Sequence, residues 1–341
     1  MGLRKGISQK AGDLQAAYFL RASKASKAIR KITGTFLALV AVCGSTGLLL
    51  ASCSPEGGLA ILNGGSETSG PPFARPEPAL SFFNPDGVIY GANGTRIDVS
   101  SLQAGYVGAS GVSSARLNFQ VTCGDMSYHY DLPNDGTPII CPLNMGNGVY
   151  SFTVWQNTSG DRYVEFSPPV SVEVVMENEF APFLRPSYYC RYDSTSACVA
   201  LANELTAGAE NQGDALASIY DWIVANVSYD FDKAAVLSTL KNYVPSPDET
   251  LQTKIGICFD YSSLAAAMLR SQGIPCTVMT GYVAPDNIYH AWNRVCIDGT
   301  WKTASIAIDA DTWTLIDTTF AAGGAASFVG NGSNYTNRYT Y

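Results

Sequence analysis

Between residues 115 and 123 the chain reads ARLNFQVTC, with apolar or small side chains at Ala115, Leu117, Phe119, Val121 and Cys123; the same two-residue period returns at Val170, Val172 and Val174. That period is the signature of a strand buried on one face. With NPDG, NDG and QNTSGD supplying turns, residues 79–178 read as an all-β domain. After Pro182 the period lengthens. Leu216, Ile219, Ile223 and Val227 fall on one stripe of a helix with Asp214 in its first turn, and Val199, Ala202 and Leu205 are spaced likewise between Thr195 and Thr206. In GICFDYSSLAAAMLRSQGIP (256–275), Leu264, Met268 and Leu269 form a further buried stripe, which Gly273 terminates and Pro275 prevents from continuing. Then come the strand-like segments TVMTGYV, HAWNRVCI, TWKTAS, TWTLIDTTF and YTNRYTY. Helices followed by antiparallel strands predict an α+β domain over residues 183–341.

The beginning of the chain follows neither period. Eight basic residues and one acid, Asp13, precede an apolar run, TFLALVAVCGSTGLLLAS. A basic leader followed by such a run reads as a secretory signal over residues 1–52. Its end, Leu50-Ala51-Ser52-Cys53, resembles the bacterial lipobox, which implies lipidation of Cys53 and a membrane-anchored protein exported to the cell surface or periplasm. The Gly-, Ser-, Pro- and Glu-rich stretch that follows makes residues 53–78 a flexible tether.

The whole chain has 341 residues and a net charge of −8. Beyond the signal, acidic side chains outnumber basic ones by more than two to one, so nucleic acid is not an expected partner. Seven cysteines remain after Cys43 and Cys53: 123, 141, 190, 198, 258, 276 and 296. Proximity in sequence suggests the disulfides 123–141 and 190–198. A hairpin that pairs Val283 with His290 would bring Cys276 and Cys296 close enough to bridge. Cys258 is then left over, at the start of a helix, where free N–H groups and the helix dipole favour a thiolate. Two histidines and a bridged cysteine set leave no zinc pattern, so neither metal nor cofactor is expected.

Thiol catalysis needs a base and a group that orients it. His290 is the sole histidine of the C-terminal region, and Asp317 ends a following strand; His129, between Tyr128 and Tyr130, reads as an ordinary strand residue. Here GICFDYSSLAAAMLRSQGIPCTVMTGYV, YHAWNRVCIDGTW and LIDTTF resemble the three blocks of the transglutaminase-like superfamily core, with IYDWIVANVSYD resembling the helix that precedes them. Gly256, Asp260, Tyr261, Gly273, Ile274, Pro275, Gly281, Trp292, Trp301 and Thr319 fit the same motifs.

The resemblance implies a papain/transglutaminase-like helix-plus-antiparallel-sheet fold, with Cys258 as nucleophile, His290 as general base and acid, and Asp317 as orienter. Eleven extra residues, TASIAIDADTW, precede the aspartate block and leave Asp309 or Asp311 as alternatives. For the oxyanion hole the candidates are the Cys258 N–H with Gln252, by analogy with papain-like proteases, or Trp222. Trp292 is expected to pack over the site, and Asp260 and Tyr261 to be structural. The segment GVYSFTVWQNTSGDRYVEFSPPVSVEVV resembles the last strands of bacterial immunoglobulin-like sandwiches. The expected function is an exported, lipid-anchored enzyme acting on amides of a peptide or protein substrate, with hydrolysis favoured over cross-linking. The competing expectation is a non-catalytic binding or adhesion lipoprotein, with the β domain contacting cell-wall material or surface proteins.

Overall fold

The structure, a computed structural model, describes residues 66–236 and 242–341. The signal and Cys53 lie outside the described residues, as does the tether up to residue 65. Among the described residues no helix is long and apolar enough to cross a membrane.

Two four-stranded antiparallel sheets make up the N-terminal region. One runs Ile89–Tyr90, Thr95–Asp98, Tyr106–Gly111, Ile139–Pro142; the other Met126–Leu132, Leu117–Cys123, Gly148–Ser159, Arg162–Val174. The alternation read from the sequence is what packs them together: Leu117, Phe119 and Val121 point inward with Tyr150, Phe152 and Val154, against Ile97, Val107 and Cys141 of the facing sheet.

The C-terminal region is built around the helix Cys258–Ser271, of which all but Phe259 is buried. The sequence suggested one apolar stripe, but Ala266 and Ala267 lie on the other faces, and their small side chains let neighbours close in all round. Helices Ala197–Leu205, Gln212–Asn226 and Pro247–Thr253 pack on it. So does a sheet in the order Thr314–Ile316, Ile288–Val295, Cys276–Val283, Tyr335–Thr340. This is the expected helix-plus-antiparallel-sheet layout.

Four expectations are corrected: the disulfides 123–141, 190–198 and 276–296, and the free tether. The central hairpin pairs Val283 with Ile288 and Gly281 with His290, so Cys276 faces Val295 and Cys296 falls beyond the ladder. Cys123 and Cys141 sit on different sheets. All seven cysteines from 123 to 296 are free thiols. Burial pushes the Cys190 thiol up to about 11, opposed by the nearby Arg270. Finally, residues 66–78 are not a free tether. Glu67–Ser69 pairs with Thr300–Lys302, and Trp301 Nε1 donates to Ser66 Oγ at 3.1 Å. Further along, Arg75 donates to Gln272 Oε1 at 2.8 Å and to the Asn203 carbonyl at 2.7 Å.

Tyrosines join the two regions. Tyr128 meets Tyr339 and Tyr341 edge-on, each at 5.4 Å between ring centres, and Tyr130 meets Tyr188 at 5.2 Å.

Candidate active site

Cys258 is the first residue of its helix, and the turn before it is held in several ways. Asp260, in the first turn, accepts from the Ile257 N–H at 2.8 Å and from Lys233 Nζ at 2.8 Å, and Tyr243 donates its hydroxyl to the same carboxylate. This is half of a capping box, with the acidic side chain reaching back to the N-cap N–H. Tyr261 donates to the Val227 carbonyl at 2.6 Å, tying the helix to the end of Gln212–Asn226. The structural roles expected for Asp260 and Tyr261 are thus what the geometry shows. By helix geometry the N–H groups of Cys258 and Phe259 have no intrahelical acceptor and are free to bind negative charge.

His290 sits on strand Ile288–Val295, opposite Gly281. A Cβ at 281 would come within 2.0 Å of the Thr336 carbonyl oxygen and 2.9 Å of the Trp292 ring, so only glycine lets the neighbouring strand approach. Trp292, two residues on and therefore on the same strand face, stacks beside the imidazole at 6.2 Å. Phe320 lies 4.7 Å from it. The Trp292 side chain is buried.

Asp317 follows strand Thr314–Ile316 and caps the short helix Thr318–Ala322, with its Oδ1 accepting from the Phe320 N–H at 2.9 Å. Its Oδ2 accepts from His290 Nε2 at 2.7 Å and from the Tyr335 hydroxyl at 2.9 Å. The extra residues before it fold into a hairpin, Thr300–Lys302 with Ala307–Ile308, and leave the aspartate strand in place. Asp309 is exposed beside Lys302, and Asp311 is exposed too; neither approaches the imidazole as Asp317 does.

The pair is dry: Cys258 is 4% exposed, and His290 and Asp317 1% each. Burial alone would lower the basicity of the imidazole. The Asp317 carboxylate and, beyond it, the charge of Cys258 reverse this and raise His290 to about 10. With Nε2 committed to Asp317, Nδ1 is left buried with no hydrogen-bond partner, and the charge of Cys258 acts on the ring.

Both sequence candidates for the oxyanion hole are open to water to some degree. Gln252 is exposed on helix Pro247–Thr253, not shielded from water as an oxyanion donor must be. Trp222 is half-buried, with Lys254 Nζ over its ring at 5.9 Å. Two tyrosines escaped the sequence reading. Tyr335 was visible only as part of a strand, and its tie to Asp317 depends on the pairing of that strand with Cys276–Val283. Tyr229 belongs to a two-residue parallel pairing, Ser228–Tyr229 with Ile255–Gly256, too short to leave a periodic signal.

Residues 199–309 match the transglutaminase-like superfamily. Among curated proteins the chain is 32% identical over 92 residues to the UPF0252 protein MJ1282 of Methanocaldococcus jannaschii, covering 25% of this chain and 26% of that one. The chain thus spans about a quarter of the length of this relative. Among solved structures, a protein of Cytophaga hutchinsonii described as a "Putative Cysteine Protease" is 16% identical with a TM-score of 0.38, covering 74% of this chain and 84% of that one. Red sea bream transglutaminase is 13% identical with a TM-score of 0.27, covering 63% and 48%.

Proposed function

Residues 199–309 of this chain are a transglutaminase-like superfamily domain, and from that premise we propose that the protein is a thiol enzyme transferring acyl groups from amides of peptides or proteins. The observation that carries the reading is the dry His290–Asp317 bond at 2.7 Å, with the second ring nitrogen left to a cysteine that opens a helix. Cys258 attacks the carbonyl carbon, and its proton resides on His290, held as imidazolium by Asp317. The tetrahedral intermediate collapses to a thioester as His290 delivers the proton to the departing nitrogen. Water then attacks the thioester and completes hydrolysis, the outcome we favour; an amine in its place gives a cross-link.

Export and lipid anchoring rest on residues 1–53 of the sequence. They fit an enzyme whose substrates are peptides or proteins outside the cytoplasm, with the β region facing cell-wall or surface partners. A second reading, a binding lipoprotein that uses the fold as a scaffold, is favoured by the 4% exposure of Cys258.

Iodoacetamide labelling of the native protein, mapped by mass spectrometry, separates the two. Selective modification of Cys258 among seven thiols, slowed by His290→Ala, supports the enzyme. A Cys258 no more reactive than the buried Cys276, or insensitive to His290→Ala, overturns it in favour of the scaffold.

A further inference from the structure

The extra residues TASIAIDADTW, which the acyl-transfer mechanism leaves unused, build one side of a cleft of about 720 Å³. That volume lies within the range of about 300–1,000 Å³ usual for ligand sites. We propose that this cleft binds peptides by their C-terminal carboxylate, with Arg294 as the counter-charge. The carboxylate follows from the cleft itself; only the choice of a peptide as its bearer rests on the acyl-transfer reading.

Arg294 and Leu315, paired across neighbouring strands of the sheet, both line the cleft. On one side stands the turn of the inserted hairpin, held by the Thr303 N–H donating to the Ile306 carbonyl at 2.8 Å. On the other, residues 330–332 lead into the strand Tyr335–Thr340, which contributes Tyr335 and Asn337. Because the Tyr335 hydroxyl donates to Asp317, the cleft shares a wall with the proposed catalytic residues, yet neither Cys258 nor His290 lines it.

What the cleft offers is hydrogen-bond donors. Among the described residues that line it Arg294 alone is charged, in a chain of net charge −8. Arg294 Nη2 donates to the Trp313 carbonyl at 2.9 Å, which fixes the guanidinium and leaves its other N–H groups for a ligand. Thr303 Oγ1 accepts from the Ser305 and Ile306 N–H groups at 3.1 and 3.0 Å, so its hydroxyl hydrogen is left to give. Asn331 Oδ1 accepts from the Ser333 N–H at 3.1 Å, and its amide N–H groups are left likewise.

Donors gathered around one cation, with no acid to neutralise it, complement a carboxylate, which only accepts and which a guanidinium can grip through two parallel bonds. A single cation also matches one negative charge better than the nearly double charge of a phosphate group. Beside it lies apolar surface for the last side chains of a peptide: Trp313, braced by Phe183 and Phe180 at 5.6 and 5.8 Å between ring centres, with Ile306 and Leu315. Capture of a chain terminus by a cluster of donors is an established mode of peptide recognition.

Saturation-transfer NMR on the native protein reads the binding of acetyl-trialanine, as the free acid and as the C-terminal amide. We expect the acid to bind and the amide to bind about 10- to 100-fold more weakly, as for loss of one charge-assisted pair. Arg294→Gln should weaken binding of the acid by the same factor. Asn337→Asp puts a negative charge on an exposed lining position without touching the bond from Arg294 to Trp313, and should weaken the acid at an unchanged melting temperature. This second variant keeps the test decisive if Arg294→Gln destabilises the fold. Cys258→Ala should bind the acid as the wild type does, so the result stands apart from the thiol reading. Absence of binding, equal binding of acid and amide, or wild-type binding by Asn337→Asp overturns the proposal. So does displacement of the acid by acetate at equal concentration, which would make the cleft a general anion site, and so does loss of binding in Cys258→Ala, which would place the peptide at the thiol.

Discussion

His290 is subject to opposed influences: burial favours the neutral ring, while Asp317 and Cys258 favour the cation strongly enough to raise it to about 10. Its value in the folded protein thus lies above the ordinary histidine value of about 6.5, so the folded state holds the proton more tightly than the unfolded chain. The stabilisation is fully present below about pH 6.5, declines as pH rises, and is lost once pH passes about 10. The unfolding free energy of wild type minus that of Asp317→Asn, from urea titrations between pH 5 and 10.5, is expected to be largest at the acid end and to shrink towards pH 10. A difference that grows with pH would contradict the ion pair. The same substitution should lower acyl transfer about 10³- to 10⁴-fold, since the imidazole loses its fixed tautomer and its counter-charge.

Asp260 makes a contrasting case. It is buried, and it joins Lys233, Tyr243 and the Ile257 N–H at one carboxylate without touching the reacting atoms. Asp260→Ala would leave the Lys233 charge and the N-cap donor without this partner. We expect a loss of about 3 kcal/mol in chemical denaturation, together with slower Cys258 alkylation as the helix start loosens. Of these residues, the three proposed as catalytic and Asp260 were legible because each lies in a local motif. Tyr335 was not, because it reaches Asp317 through a pairing between segments distant in sequence.

The helix Cys258–Ser271 shows what periodicity reveals and what it hides. Its existence, start and stop were readable from spacing and from Gly273, which adopts φ +75° just past the end. Its burial on every face was not, since alanines and serines score as neither face. Arg270 is the sharpest instance. A charged residue in the last turn normally points to water, yet here it is wholly buried and spends its donors on the Cys276, Arg185 and Tyr341 carbonyls and on Ser187 Oγ.

Those acceptors belong to the hairpin, to the segment leading in from the β region and to the last residue of the sheet-edge segment. Arg270→Met keeps the bulk and deletes every donor. We expect a loss of about 2–4 kcal/mol, because several buried carbonyls lose their partner at once. Amide exchange at Tyr341, whose N–H bonds to the Val278 carbonyl, should speed up more than exchange within the helix. Uniform acceleration would mean that Arg270 supports the fold globally and does not hold that edge in particular. The hairpin illustrates another limit of the sequence. Both strands were readable, but their register depends on where the turn falls, and a two-residue shift there removed the case for a disulfide.

At the scale of the whole molecule, stability that bridging cysteines would have supplied comes from packing and from chain crossings. Glu67–Ser69 adds a strand to the hairpin beyond the histidine, and Trp301 beneath it is 1% exposed. Thr68 Oγ1 donates to Asp214 Oδ1 at 2.5 Å, so the strap also braces the start of helix Gln212–Asn226. Composition alone marked residues 53–78 as a spacer, because Gly, Ser and Pro carry no period; what orders residues 66–78 is a partner strand more than 200 residues away.

A chain beginning at residue 79 should therefore be less stable than one beginning at residue 66, although both contain the proposed catalytic residues. Losing three paired residues, the cover over Trp301 and the Arg75 contacts predicts a melting temperature lower by several degrees and stronger quenching of tryptophan fluorescence by acrylamide, with Cys258 still alkylated selectively. In denaturant without reductant, either chain should titrate seven thiols. Equal melting temperatures would return residues 66–78 to the role of a passive tether. Fewer than seven thiols would place covalent bridges where packing is taken here to suffice.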